Sequence, residues 1–347
     1  MAARVRPFLR EFTAANVPME EVIEFYGIDT AVIPVSMQRP YTWSNTVATI
    51  DGFMNFDSTP RVADWDKALK SRSNGENVIN HKSKSTKDGS VHGSVESDVA
   101  LKRHPQAGPF SLADYRLLNA GWIYADAVLS SGPCLRVDPF LRHVPVFEDM
   151  LSYRKNVLGK SSNPIHIVLT SSATSFDYTN QTMFNAADLH VVVITTPADC
   201  DSAKEAFILS RNTKSVSKLW SDETHAKAQG TVRFVALPLA KAAITVDLTV
   251  AMHWLRTELD VHCLEIDAGG SVVRRMIDFK LLDEVRLTQT GQLIGSHDET
   301  GSVRPSLFGS QGMDSYDSDH SVIFRTLGIR AIGDHHLFLR YALDYRH

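Results

Sequence analysis

The residues with the clearest chemical meaning lie in LEIDAGGSVVRRMI, positions 264–277. An apolar run ends at Asp267. Ala268, Gly269, Gly270 and Ser271 then form a turn of small residues, and a helical pattern follows. A strand-to-helix turn of this kind leaves unpaired backbone N–H groups and the positive end of a helix dipole facing outward. Glycines let an anion approach that backbone closely, so a phosphate or pyrophosphate suits the turn. The spacing is neither G-x-G-x-x-G nor a P-loop, and a tight turn without a ligand fits the same pattern. Asp51 occupies a second such place, after the strand-like YTWSNTVATI (41–50) and before Gly52. An Asp-Gly pair there is either a turn bonding its own backbone or a carboxylate presented at a strand's end. The fourteen histidines include no H-x-H or H-x-x-x-H pair with a carboxylate at ligand spacing, so no metal site is expected.

Holding these residues requires alternating strands and helices. DAVLSS, PIHIVLT, LHVVVITT, TVRFVALPL, VHCLEID and EVRLTQTGQLIG predict short buried strands. SLADYRLLNAGWIYA, FEDMLSYRKNVLG, AKEAFILSR, DLTVAMHWLRTELD and GGSVVRRMIDFKLLD predict the helices between them. Such alternation implies βαβ units and a mainly parallel sheet with helices on both faces. HHLFLRYALDY (335–345) predicts a last strand that can run antiparallel. Residues 7–27 have roughly helical spacing, interrupted at Pro18 and stopped at Gly27. They predict an N-terminal helical extension over 1–38, ahead of one domain over 39–347. Within that domain, 59–109 is a Ser-, Lys-, Asn- and Gly-rich insertion, a solvated linker or a substrate lid, and 295–328 is a long loop.

Composition sets limits. With 347 residues, 43% hydrophobic and 22% charged, the chain is an ordinary globular one. Lys and Arg total 36 against 40 for Asp and Glu, a net charge of −4, which gives no basic footprint for nucleic acid. Cys134, Cys200 and Cys263 are isolated, so neither a disulfide framework nor a cysteine zinc site is expected. No stretch approaches the roughly 18 apolar residues of a membrane helix. MAARVRPFLREF carries three arginines without an apolar run, which makes a poor signal peptide. The expectation is a soluble, cytoplasmic protein.

Four segments in order resemble the reductase domain of riboflavin biosynthesis. RPYTWSNTVATIDG (39–52) is similar to that family's opening strand, with Asn45 where its members carry Asn or Lys. Asp126-Ala127-Val128-Leu129 resembles its Asp-Ala-Ile-Leu strand, and Pro164 to Thr170 its Pro-Val-Val-Leu strand. Asp267-Ala268-Gly269 stands where the family has Glu and a small-Gly turn, followed by Leu282-Asp283-Glu284 for Val-Asp-Glu and Leu293-Ile294-Gly295 for the strand end.

The resemblance implies a dihydrofolate reductase-like fold, a homodimer, and NADPH-dependent reduction of the ribosylamino imine of a pyrimidine riboflavin precursor. It implies a pyrophosphate site at Ala268, Gly269, Gly270 and Ser271. Thr170, Ser171 and Ser172 are then candidates for the adenosine 2′-phosphate, and Thr195 and Thr196 for further cofactor contacts. Asp51 and Asp267 become the candidate catalytic and substrate-binding carboxylates, with Asn45 beside them. Asp51 would favour a protonated imine nitrogen, and Asp267 would accept from a polyol. Even spacing between 45 and 51 puts both on one face if the strand alternates regularly. Departures from the family keep alternatives open: Asp267 is one methylene shorter than Glu, the turn Ser130-Ser131-Gly132-Pro133-Cys134 replaces Gly-Ala-Gly-Thr, and the insertion at 59–109 and the loop at 295–328 are long. The same fold could reduce another C=N or C=C compound, or bind a nucleotide or partner without turnover. The H-x-E and P-C-x-x-C motifs of the zinc deaminases fused to some relatives are missing.

Overall fold

A computed structural model describes residues 9–14, 16–28, 33, 37–53, 109–212, 231–240, 245–298, 300–309, 322–333 and 336–345. The ten strands of its sheet are β1 (Leu9–Glu11), β2 (Tyr41–Thr49), β3 (Ala127–Ser131), β4 (Ile165–Leu169), β5 (Val191–Thr195), β6 (Val232–Ala236), β7 (Cys263–Ile266), β8 (Glu284–Thr290), β9 (Ile323–Ile332) and β10 (His336–Asp344). Their order across the sheet is β1-β9-β10-β8-β2-β7-β3-β4-β5-β6. The seven strands from β8 to β6 pair in parallel, whereas β10 is antiparallel to both its neighbours.

The helices are α1 (Met19–Tyr26), α2 (Pro109–Tyr124), α3 (Gly132–Val137), α4 (Glu148–Asn156), α5 (Thr182–Asn185), α6 (Pro197–Asn212), α7 (Leu248–Glu258) and α8 (Gly270–Asp278). They cover both faces because the parallel strands are apolar on both. Leu129, Ile194 and Leu264 pack under α7 and α8 through Met252, Leu255 and Met276. On the other face Trp43, Val128 and Cys263 lie against α1 and α2, and Val168, Val193 and Phe234 against α5 and α6. Asp247 starts α7 by accepting from the N–H groups of Thr249 and Val250, the usual work of an aspartate N-cap.

Three expectations about elements change. Residues 9–11 are a strand, not part of a helix. They pair in parallel with Ile329–Ala331 on the edge of β9, and a vacant sheet edge overrides weak local helical spacing. The N-terminal segment is therefore woven into the sheet, and only the helix between Pro18 and Gly27 is as expected. The long loop ends at Ile323, where β9 begins, and not at 328. The helix α3 follows β3 directly, within a segment expected to be a turn. The insertion expected over 59–109 gives way to α2 at Pro109, and 59–108 lie outside the described residues.

Candidate active site

Parallel pairing brings the carboxyl ends of β8, β2, β7, β3, β4 and β5 side by side. Ligands of open α/β sheets collect beyond such ends. Asp51 after β2, Asp267 to Ser271 after β7, Thr170 to Ser172 after β4, and Thr195 and Thr196 at the end of β5 therefore share one rim. β2 and β7 are neighbours in register, Ser44 opposite Ile266, so the Asp51 turn and the glycine turn end adjacent strands.

Asp51 does not continue the alternation of β2, which ends at Thr49. Gly52 adopts φ +79°, and the carboxylate of Asp51 turns back to accept from the N–H groups of Gly295 at 2.8 Å and Ile294 at 3.3 Å. Desolvation pushes this carboxyl up, but hydrogen bonds from Thr49 and from the Gly295 and Ile294 backbone outweigh it, and its pKa lies below the ordinary value. Asn45 is directed inward instead. Its Nδ2 donates to Glu265 Oε1 at 2.7 Å, so Asn45 and Asp51 do not act as a pair on one face.

Glu265 is a carboxyl in the middle of β7, fully buried. Burial, and then repulsion from Asp267, raise its pKa well above the ordinary value, with Asn45 only partly offsetting this. The Asn45–Glu265 pair fits under α2 only because position 121 is glycine: a Cβ there would come within 2.4 Å of Asn45 Nδ2 and 2.5 Å of Glu265 Oε2. Further along the same helix, Asp114 accepts from Thr288 Oγ1 at 2.5 Å, and burial pushes its pKa to about 6.

Asp267 stands at the mouth. Its side chain is partly exposed, and Oδ2 lies 3.1 Å from Nδ1 of the buried His143. The turn beyond it has two unlike glycines. Gly269 is the N-cap of α8 and offers no side chain to its first N–H groups; a Cβ on it would meet nothing within 4 Å. Gly270 is packed, since a Cβ there would lie 2.4 Å from Ser306 O and 2.7 Å from Gly309 N. The segment 306–309 thus covers Gly270 and leaves Gly269 open. The same segment reaches the Asp51 turn, where Leu307 N donates to Gly52 O at 3.0 Å. Ser271 is exposed and Ala268 half-buried.

Thr170 is buried against Gly132, at the start of α3, and its Oγ1 accepts from Ser172 N at 3.1 Å. Ser171 and Ser172 are exposed. Beside them Arg136 of α3 donates to Ser175 Oγ at 3.1 Å and lies over the Phe176 ring. Thr195 serves the scaffold: its Oγ1 donates to Asp199 Oδ2 at 2.8 Å. Asp199 also accepts from the N–H of Ala173 at 2.5 Å, joining the ends of β4 and β5. Thr196 is buried, and its carbonyl accepts from the N–H groups of Asp199 and Cys200 in the first turn of α6.

His143, Glu265 and Arg136 were not among the expected site residues. Glu265 had a visible signal, a charge inside the apolar VHCLEID; His143 and Arg136 lie in segments without pattern, and only folding brings them to the rim. A cavity of about 590 Å³ lies at the opposite end of the strands, among Arg39, Asp126, Lys160, Arg256, His262 and Cys263, away from these groups. Among the described residues no cluster of His, Cys, Asp or Glu could hold a metal ion, and no helix is long and apolar enough to cross a membrane.

A mainly parallel sheet with an antiparallel C-terminal strand and a polar rim at the carboxyl ends defines a protein of the dihydrofolate reductase-like class. More specifically, the chain belongs to the RibD C-terminal domain family, whose model matches residues 40–338; this is the reductase domain of riboflavin biosynthesis, a family of oxidoreductases. In structure it is similar to a pyrimidine reductase-like protein of Corynebacterium diphtheriae, with a TM-score of 0.56 and 16% identity over 93% of this chain and 98% of that one. It also resembles RibD of Acinetobacter baumannii, with a TM-score of 0.50 and 12% identity over 89% of this chain and 59% of that one. The riboflavin biosynthesis reductase of Saccharomyces cerevisiae matches at a TM-score of 0.49 and 10% identity, over 94% and 99%. No curated protein matches the sequence significantly.

Proposed function

We propose that the protein is an NADPH-dependent reductase that delivers hydride to the ribosylamino imine of a phosphorylated pyrimidine, giving a ribityl chain. The observation that carries this is the shared rim: two carboxylates, Asp51 and Asp267, beside an open, uncapped helix start at Gly269. NADPH supplies the hydride when bound. The residues fit such a group, because Gly269 leaves free space against the first turn of α8, where a pyrophosphate is favoured by the helix dipole. Ser171 and Ser172, with the Arg136 guanidinium close by, suit the 2′-phosphate. Asp51, held as a carboxylate, favours positive charge on an imine nitrogen and so makes its carbon a better hydride acceptor. Asp267 accepts from the hydroxyls of the sugar-derived chain. The same reading makes the protein a cytoplasmic homodimer that acts on a small molecule.

A second reading rests on the filled turn after β3. Thr170 occupies the space beside Gly132, and α3 starts at once, which alters the cofactor-side wall and suits reduction of a different C=N or C=C compound. The decisive experiment measures loss of nicotinamide absorbance on adding the ribosylaminopyrimidine phosphate, alongside complementation of a riboflavin-requiring reductase mutant. Turnover with complementation is expected. NADPH binding without turnover of this pyrimidine, and without complementation, would overturn the assignment.

A further inference from the structure

Behind Asp267 lies a group that the reduction as described does not use. His143, between α3 and α4, has a side chain only 1% exposed, and its Nδ1 is 3.1 Å from Asp267 Oδ2. Its Nε2 is 2.6 Å from Ser130 Oγ on β3. The ring stacks on His166 at 5.7 Å and meets Trp122 edge-on at 5.6 Å. His166 Nε2 also accepts from the His143 backbone N–H at 3.0 Å. The imidazole is thus fixed from four sides.

The order serine, histidine, aspartate is that of a hydrolase triad, but the exposure runs the wrong way. Ser130 is 1% exposed, and a hydroxyl sealed in the core cannot attack a substrate. The end that reaches the rim is the carboxylate. While Asp267 is ionised, a bare lone pair on Nδ1 would face its oxygen across 3.1 Å, two electron-rich atoms in contact. A proton on Nδ1 removes that repulsion. Ser130 is compatible with it in either charge state, because a hydroxyl can donate to Nε2 of the neutral ring or accept from the imidazolium. Nδ1 lies off the line of a good hydrogen bond, so its hold on Asp267 is chiefly electrostatic.

We propose that His143 is a positioning residue for Asp267: its Nδ1–H, oriented by Ser130, attracts one carboxylate oxygen and so biases the direction of the carboxylate at the rim. This rests on the reductase reading above. A carboxylate held in one direction steadies the sugar-derived chain and the positive charge of a protonated imine, whereas one that turns away does neither. The other titratable groups facing this array are His166 of β4 and Glu265, two residues before Asp267 on the same face of β7.

Four variants test this, each first checked for a cooperative unfolding transition. His143→Leu fills the space without a donor, whereas His143→Asn keeps an amide N–H near the place of Nδ1. His143→Leu is expected to lower kcat/KM by about 10²-fold, mainly in kcat, with NADPH affinity unchanged, and His143→Asn to regain at least about tenfold of that loss. In spectra of protein carrying ¹⁵N-labelled histidine, the His143 signals, identified by their loss in His143→Asn, should show a proton on Nδ1 and should move in Asp267→Asn and Ser130→Ala. Equal losses in the Leu and Asn variants, or an unprotonated Nδ1 in the unsubstituted protein, would overturn the proposal. A protein that oxidises no NADPH with the pyrimidine refutes the reductase reading instead, and the spectra still decide where the proton sits.

Discussion

The two carboxylates of the rim are held by different means. Asp51 is gripped by backbone N–H groups from the segment after β8, while Asp267 has a buried imidazole behind it. Asp51→Asn keeps an oxygen for Gly295 N but removes the charge that favours a protonated imine. It should lower kcat/KM by about 10²-fold and leave NADPH affinity within about threefold. Steady-state rates with a cofactor titration decide this; lost NADPH affinity with full turnover at saturating cofactor would assign Asp51 to the cofactor. The type of residue at 51 and 267 was readable in the sequence because strand ends and turns leave local marks. The partners were not: Asn45 binds Glu265 from a strand 220 positions away, a proximity that no local pattern encodes.

At the scale of elements, the start of α8 separates two roles that LEIDAGGSVVRRMI runs together. Gly270 is a packing glycine beneath 306–309, so a side chain there displaces backbone and tests the scaffold more than the ligand. Gly269 has φ −61° and ψ 158°, allowed for any residue, and open space beside it. Gly269→Asp should leave thermal unfolding nearly unchanged and weaken NADPH binding at least about tenfold, or about 1.4 kcal/mol. Unchanged affinity would remove the pyrophosphate from this turn.

The Leu282-Asp283-Glu284 step belongs to the other end of the strands and ties elements together. Asp283 receives Arg39 through two bonds of 2.7 and 2.8 Å. Glu284, 2% exposed, receives Arg340 of β10 at 2.7 and 2.8 Å and the Tyr41 hydroxyl of β2 at 2.5 Å. Burial works against the Glu284 carboxylate, yet Arg286, Arg340 and Tyr41 outweigh it and bring its pKa down to about 2. A depressed folded-state pKa stabilises the protein above the ordinary value of 4.5, and that contribution fades as pH falls from there towards 2. Arg340→Met leaves this buried charge short of a partner and should destabilise by about 3 kcal/mol at pH 7, with a smaller difference at pH 3. Denaturant unfolding at both pH values is the check, and a pH-independent difference would show that packing, not charge, holds this corner.

For the whole molecule, the place where the insertion leaves and rejoins the described chain matters more than its composition. The chain leaves at Phe53, at the carboxyl rim. It rejoins in α2, whose second turn sets Asp114 against Thr288, near the carboxyl end of β8. Both ends therefore lie at the same rim, and a short Gly/Ser linker in place of 59–108 should keep a cooperative thermal transition within a few degrees of the full chain. Collapse of that transition would show that the segment belongs to the core.

The alternation of apolar strands and helices, the antiparallel last strand and the polar strand ends follow from sequence alone, because side-chain periodicity, glycine and N-cap chemistry are local. The strand order does not. Which ends become neighbours depends on where every crossover helix finds apolar surface to cover, and that is a property of the whole sheet. So Leu9–Glu11 is a strand only because β9 offers an edge, Gly270 is closed only because 306–309 folds over it, and His143 reaches Asp267 only because β3 and β7 lie side by side. The sequence determined which residues could do chemistry; tertiary pairing decided which of them meet.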